Sequence, residues 1–443
     1  MRSLLALALL GSACGGASGT TVDDLPRQGL PALFSFDRAA ADRGYDLLTV
    51  HTVAEPAIPR AGIENLWIVW DGGYDGDYWA AFRKRYGMHE APFDNGGLPM
   101  GMRAIGQSVT FDCLLCHAST VAGQPVLGVA NSTLDIQSLL DDLEKAANLA
   151  GIKPPFQLRD RTGAAGAIDA VGMAAVLGEQ IGVAPGTLNS NTGWTRAPAW
   201  WQLKHKTRVF NDGTGASPSF RTMAGILLAF GLTIDQIAQR SAEFDDIGAW
   251  ILSLEAPRWS GTLDRARWER GRTVFADTCS DCHGLYDGPQ AYYPSTIVDT
   301  SFVGTDPMRA DRVRQVEIDT INATWFGDPP MMDTDGYLAP PLVGVWARAP
   351  YLHNGSVPDL ASVLDSKSRP QVWRRTGTGE ADWDPIRVGW RYDVPTETPA
   401  PDSIEGRRIY DTRRDGLHAT GHPFGDDLTD EDRQAVIEYL KSL

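Results

Sequence analysis

Four of the five cysteines fall in the same five-residue pattern, used twice: Cys113-Leu114-Leu115-Cys116-His117 and Cys279-Ser280-Asp281-Cys282-His283. A C-x-x-C-H run is the attachment pattern of c-type haem. Two thiols three positions apart reach the two vinyl groups of one porphyrin, and the histidine that follows supplies an imidazole to the iron. Two other chemistries compete for such residues. A four-cysteine zinc site would pair the two C-x-x-C units, but they stand 166 residues apart, against roughly 15–20 in known zinc patterns. It would also leave the adjacent histidines without a role. A thioredoxin-like redox pair would follow a strand in a βαβ unit, and neither motif does. The expectation is therefore two covalently bound haem c groups on Cys113, Cys116, Cys279 and Cys282. His117 and His283 are their proximal iron ligands.

Helical patterns must hold these motifs. Gly271 to Phe275 precedes Cys279 in a helical stretch that begins near Arg267-Trp268-Glu269. The chain ends in an amphipathic helix, Leu428 to Leu440, with Thr429 and Asp432 as an N-cap pair. Phe244 to Leu254 has the same composition as that terminal helix, so one unit closes near Leu254. Pro257 and Gly261 then mark a linker. Residues 325–350 and 370–425 read as ordered loops, because they hold many aromatics and little helical period. Trp67, Trp70, Tyr74, Tyr78 and Trp79 suggest a helix-and-loop cap within residues 31–100.

The second unit resembles a class I cytochrome c, in which a small glycine lets the first helix cross an aromatic on the last. Gly271, Phe275 and Tyr439 would fill those places. The segment Pro340 to Pro358, with Ala349-Pro350-Tyr351-Leu352-His353-Asn354-Gly355 inside it, is similar to a segment of the bacterial dihaem cytochrome c peroxidases. It is closer still to the dihaem rubber-oxygenase-like proteins, which also carry a Gly-His-x-aromatic-Gly run, here Gly421 to Gly425. The resemblance is specific from about residue 265 onward. It implies a mainly α fold of two tandem class I cytochrome c-like domains with long loop inserts. The expected divisions are 1–14 (signal), 15–30 (tether), 31–254 (first domain with its cap), 255–263 (linker) and 264–443 (second domain).

The open question is the other face of each iron. Two strong protein ligands make a haem an electron carrier, while an open face can bind oxygen or peroxide. For the second haem the candidates are His353, His418 and His422. The resemblance places the distal ligand in a loop shortly before the terminal helix, which favours His422, with His353 as the alternative. His353 could equally be a buried histidine bonding backbone or a haem propionate. For the first haem, no histidine after His205 precedes Phe244. Met223 sits in an apolar run that reads as core, and Phe220 and Phe230 could line a distal face. Trp200 and Trp201 are candidate relays between haems, as a tryptophan is in the resembling peroxidases. The resulting expectation is an oxidoreductase, peroxidase- or oxygenase-like, with a reactive first haem and an electron-transferring second haem. Its partners would be a redox protein or a small oxidant, peroxide or oxygen. The alternative is an electron carrier with no substrate chemistry.

The 443 residues, 43% hydrophobic, suffice for two or three ordinary cores. Forty Lys and Arg against 56 Asp and Glu give a net charge of −16, so no global basic footprint for nucleic acid exists. Arg2, the apolar run Leu4 to Leu10 and the small residues Gly11-Ser12-Ala13 before Cys14 have the form of an export signal. Cys14 at its end, followed by a Gly- and Ser-rich stretch, resembles a lipoprotein junction. The expected location is periplasmic or extracellular, either tethered by a lipidated Cys14 or released by a secretory cleavage nearby that discards Cys14.

Overall fold

Asp37-Arg38-Ala39 and Asp264-Arg265-Ala266 open two helices in the same way. Each aspartate accepts a backbone N–H three residues on, from Ala40 at 2.8 Å and from Arg267 at 3.0 Å. Such an N-cap satisfies a donor that the first helical turn leaves unpaired. The computed structural model describes residues 20–26, 28–52, 58–152, 162–169, 177–178, 180–183, 193–218, 220–230, 232–313 and 315–443, less the side chains at 222, 226, 229 and 230. The expected signal, Cys14, the start of the tether and the side chain of Phe230 lie outside the described set.

The helices that frame the motifs are α1 (Arg38–Thr49), α2 (Tyr78–Tyr86), α3 (Leu114–His117), α4 (Ile136–Leu149), α5 (Ser241–Ser253), α6 (Arg265–Thr278), α7 (Ser280–His283) and α8 (Asp430–Leu440). Two helix crossings dominate the packing: α1 on α5, and α6 on α8. They are built alike. A Cβ on Gly271 would lie 1.8 Å from the carbonyl oxygen of Ala435, and one on Gly44 would lie 2.0 Å from that of Asp246. Only glycine lets the backbones approach so closely. Beside the α6–α8 crossing, Tyr439 packs on Phe275 and Trp268, with ring centroids 5.2 and 5.8 Å apart. Beside the α1–α5 crossing, Tyr45 meets Trp250 at 5.8 Å. Arginines lock the outer edges: Arg43 holds Asp246 through two bonds of 2.6 and 2.8 Å, and Arg270 holds Asp432 at 2.8 Å.

Thus α1 is not part of a cap but one half of the first crossing. The expected cap is the aromatic cluster that follows. Trp70 stacks on Tyr78 with centroids 5.6 Å apart. Its indole N–H donates to Tyr86, whose hydroxyl donates to Asp142 of α4, each at 2.8 Å.

The expectation of a mainly α fold fails. Helix accounts for 40% and strand for 14%, and the strands form seven small sheets among the described residues. The inserts hold them. β1 (Met102–Ile105) pairs with β2 (Ser108–Phe111) just before the first motif, and β3 (Ala118–Val121) with β4 (Gln124–Leu127) just after it. Residues 370–425, read as loop, contain the strand Val372–Arg375 flanked by Tyr392–Asp393 and Tyr410–Asp411. These ladders are two to four residues long, too short to print an alternating pattern on the sequence. The buried Trp373, Trp383 and Trp390 anchor this region. The apolar core around α6 and α8 also takes in Val121, Val129, Ala199 and Trp201 from the first half of the chain.

Candidate haem centres

At the second motif, α6 runs directly into Cys279, and α7 carries Cys282 and His283. His283 Nδ1 lies 2.8 Å from the carbonyl oxygen of Pro340. A carbonyl can only accept, so Nδ1 carries the proton and Nε2 presents a bare lone pair. This is how a metal-ligating histidine has its tautomer fixed by a backbone partner. Across from it stands His422, the two ring centroids 6.2 Å apart and the planes 54° to each other. Two metal–nitrogen bonds of about 2 Å, with the ring radius added at each end, span that separation.

The loop that presents His422 is held from several directions. His422 has φ +49° and Gly421 φ +73°. A Cβ on Gly421 would lie 2.1 Å from the carbonyl carbon of Gly304. The His422 N–H donates to Val303 O at 2.7 Å. Arg369 donates to the carbonyls of Ala419, Gly421 and His422, at 2.7, 2.6 and 3.2 Å, and also to those of Ser362 and Val363. Burial, with the neighbouring His283 and Arg369, pushes the His422 pKa down to about 3. The ring is thus held neutral, as a ligand must be.

The other two candidates have different surroundings, and the buried Nε2 of His353 has no hydrogen-bond partner among the described residues. His353 stacks on Tyr337 at 4.1 Å, and its carbonyl accepts from the Arg196 N–H at 2.9 Å. His418 Nδ1 lies 3.0 Å from the Asp306 carboxylate.

At the first motif, Asp112 accepts the Leu114 N–H at 2.8 Å and starts α3, while its other oxygen lies 3.2 Å from buried Arg103. His117 stacks on Trp200 with centroids 4.4 Å apart. Burial lowers its pKa to about 3, partly opposed by the Pro198 carbonyl. Burial also pushes the Cys113, Cys116 and Cys279 thiols up to about 12. The four motif cysteines form no disulfide.

In place of an opposing imidazole, the first motif has a cavity. Cys113, Cys116 and His117 line one part of it. Phe220, Met223, Phe244, Ile247 and Ile251 form an apolar wall, and Arg309, Glu317, Phe326 and Met331 come from an insert of the second half. Among its described lining residues, His117 is the only histidine. Met223, read as core, stands on the cavity wall. An apolar hollow with two thiols and one imidazole on its border fits a porphyrin attached at Cys113 and Cys116. The second motif fits one through its facing imidazoles.

Trp200 borders the first site, and its neighbour Trp201 bonds to the segment that follows Pro340. Trp200 touches the His117 ring. Trp201 donates its indole N–H to Val343 O at 2.9 Å, and Val343 belongs to the same short segment as Pro340, the partner of His283. Three polar residues of the cavity were not singled out by the sequence: Arg196, Arg309 and Glu317. Arg309 and Glu317 sit in charged stretches that read as solvated surface, whereas Arg196 lies between Trp194 and Trp200. Each is nonetheless buried, at 5%, 4% and 0% exposure.

Residues 336–374 match the RoxA-like, cytochrome c-like family. The matched stretch runs from the strand Gly336–Leu338 through Pro340 and His353 to Arg374. It supports covalent haem c and a protein of the electron-transfer or oxidoreductase kind. The chain is similar to the uncharacterized protein y4iM of Sinorhizobium fredii, 26% identical over 257 residues, covering 52% of this chain and 56% of that protein. It is also similar to y4iJ of the same organism, 26% identical over 259 residues, covering 43% of this chain and 41% of the relative. The chain therefore spans about half the length of these relatives. No helix among the described residues is long and apolar enough to cross a membrane.

Proposed function

We propose that this chain is an exported dihaem c-type oxidoreductase with two unlike centres. The observation that carries the reading is their asymmetry: a histidine faces His283 at 6.2 Å, whereas His117 faces an apolar cavity with no second histidine on its described wall. Bound haem supplies one-electron chemistry and, where an iron face is open, a seat for oxygen or peroxide. The chain does the rest. Cys113, Cys116 and His117 hold the reactive group, and Phe220, Met223 and Phe244 exclude bulk water from its open side. Cys279, Cys282, His283 and His422 would hold a second haem, whose chemistry there would be the passing of electrons. Trp200 and Trp201 are the relay, supported by the ring stack on His117 and the bond to Val343. Electrons come from a redox partner protein, and the oxidant is peroxide or oxygen.

The test is a pyridine haemochrome assay together with the oxidised-state spin spectrum and carbon monoxide binding. Two haems per chain, one low-spin and one high-spin that takes carbon monoxide, are expected. Two low-spin haems that bind no added ligand would mean a pure electron carrier, with Met223 or Met331 of the cavity wall as a sixth ligand. Export and a lipid at Cys14 belong to the same proposal. Cys14→Ala should move the protein out of the membrane fraction, and unchanged partitioning removes the lipid anchor from it.

A further inference from the structure

Two buried guanidinium groups in the first cavity have donors with nowhere to go. Arg196 donates through Nη1 to Arg348 O at 2.5 Å, and its Nε has no partner. Arg309 reaches Asp212 through Nη2 at 2.8 Å, and its Nε and Nη1 have none. Both residues line the cavity, among side chains such as Val209, Leu228 and Phe326. A buried charge in apolar surroundings is strongly unfavourable unless it is paired and hydrogen-bonded. Among the described acids nearby, Asp112 is taken by Arg103, and Asp212 faces Arg309 while its other carboxylate oxygen accepts from Thr214. Arg348 adds a further positive charge beside Arg196.

One short segment contacts both arginines. Asn211 donates to the Arg196 carbonyl at 2.9 Å, and the next residue, Asp212, holds Arg309. A porphyrin attached through its vinyl edge to Cys113 and Cys116 carries two carboxylates on its far edge. A guanidinium presents parallel N–H donors in the geometry a carboxylate accepts. We infer that Arg196 and Arg309 form the propionate cradle of the first cavity, pairing their free N–H groups with the two carboxylates of the haem held there. This rests on the proposed haem attachment at Cys113 and Cys116. The arginines thereby position the cofactor and supply the counter-charge that two buried carboxylates require.

The test uses the full holoprotein with Arg309→Gln, Arg196→Gln and the charge-keeping Arg309→Lys. Haem-peptide mass at Cys113 and Cys116 is measured first. Redox titration then follows the high-spin and low-spin haems separately, and resonance Raman follows the propionate bending modes. Each Gln variant should lower the midpoint potential of the high-spin haem, because uncompensated carboxylates favour the ferric state. It should shift the propionate modes and leave the low-spin midpoint unchanged. Arg309→Lys should keep most of the wild-type midpoint. Gln variants that attach both haems and retain wild-type midpoints and propionate modes overturn the inference while leaving the dihaem reading intact. Wild-type protein with no haem on Cys113 and Cys116 overturns both.

Discussion

Replacing His422 by glycine isolates one imidazole with little other damage. The residue sits at φ +49°, a left-handed conformation that costs a side-chain-bearing residue about 1–2 kcal/mol, so glycine relieves strain that alanine would keep. The loop keeps its supports, because the N–H still reaches Val303 O and Arg369 still holds three of the loop's carbonyls. What disappears is one of two rings whose centroids stand 6.2 Å apart. That gap has room for two metal–nitrogen bonds of about 2 Å, as the proposed ligation of one iron by both rings would need. One of two haems should therefore pass from low-spin to high-spin, about half of the total haem absorbance. The vacated space has the shape of the lost ring, so added imidazole should restore the low-spin spectrum in a saturable way. Absorption and electron paramagnetic resonance spectra of wild type, variant and imidazole-treated variant read this directly. A variant with the wild-type spectrum refutes the ligand assignment. If His353→Gly then converts the spectrum instead, the role passes to His353.

Three further outcomes follow from particular contacts. Gly271→Ala and Gly44→Ala place a methyl against a backbone carbonyl at 1.8 and 2.0 Å. Overpacking of about 1–3 kcal/mol or more should outweigh the helix gain of about 1 kcal/mol, so both should melt at lower temperature by circular dichroism. Unchanged melting means the crossings are looser than described. Trp201→Phe keeps most of the apolar volume but removes the N–H donated to Val343. Inter-haem electron transfer after flash reduction should slow while both spin states persist, and an unaltered rate excludes this relay. His89 is buried and bonded to Asn131 and Thr133, and burial lowers its pKa to about 4. From pH 6.5 down to 4 the unfolded chain takes a proton that the folded chain refuses. On the order of 3 kcal/mol is then lost across that window and is present in full above it. Urea unfolding at pH 7 and pH 4.5 should show a smaller difference for His89→Gln than for wild type; equal differences remove His89 as the cause.

The chemistry was more legible than the architecture, for a physical reason. Covalent attachment needs Cys-x-x-Cys-His in one continuous stretch, so both motifs could be read from single residues. Gly271, Phe275 and Tyr439 also stood out, through the resemblance to class I cytochromes c, and the glycine lies against the Ala435 backbone at the crossing. The matching first helix carries the same residues: Asp37-Arg38-Ala39 with Arg43-Gly44 repeats Asp264-Arg265-Ala266 with Arg270-Gly271. It was hidden by the long insert between Thr49 and Cys113, which contains the aromatic cap. The hairpins escaped because two to four paired residues carry no usable period. Arg196, Arg309 and Glu317 escaped because burial arises from distant segments folding over them. Nothing in Met308-Arg309-Ala310-Asp311-Arg312 separates an inward arginine from a solvated one.

The two halves share a helix crossing but differ in what comes just before the closing helix, and that difference divides their labour. Ahead of α8 the chain is an irregular loop, and it turns through two left-handed residues, Gly421 and His422. Such a turn brings backbone close enough to present an imidazole opposite His283, and Arg369 stiffens it by gripping carbonyls that no helix satisfies. Ahead of α5 the equivalent stretch is coiled into short helices, Arg221–Ala224, Gly225–Phe230 and Ile234–Ala238. There Met223 and Leu228 meet the cavity as side chains on its wall. The rest of the enclosure comes from the other half. Arg309, Glu317, Phe326 and Met331 lie between the second C-x-x-C-H motif and its closing helix, yet they border the first cavity. Substitutions at these four residues should therefore alter ligand binding at the first centre while leaving the His283–His422 pair untouched. A separate arrangement of two independent cytochromes would not behave in this way.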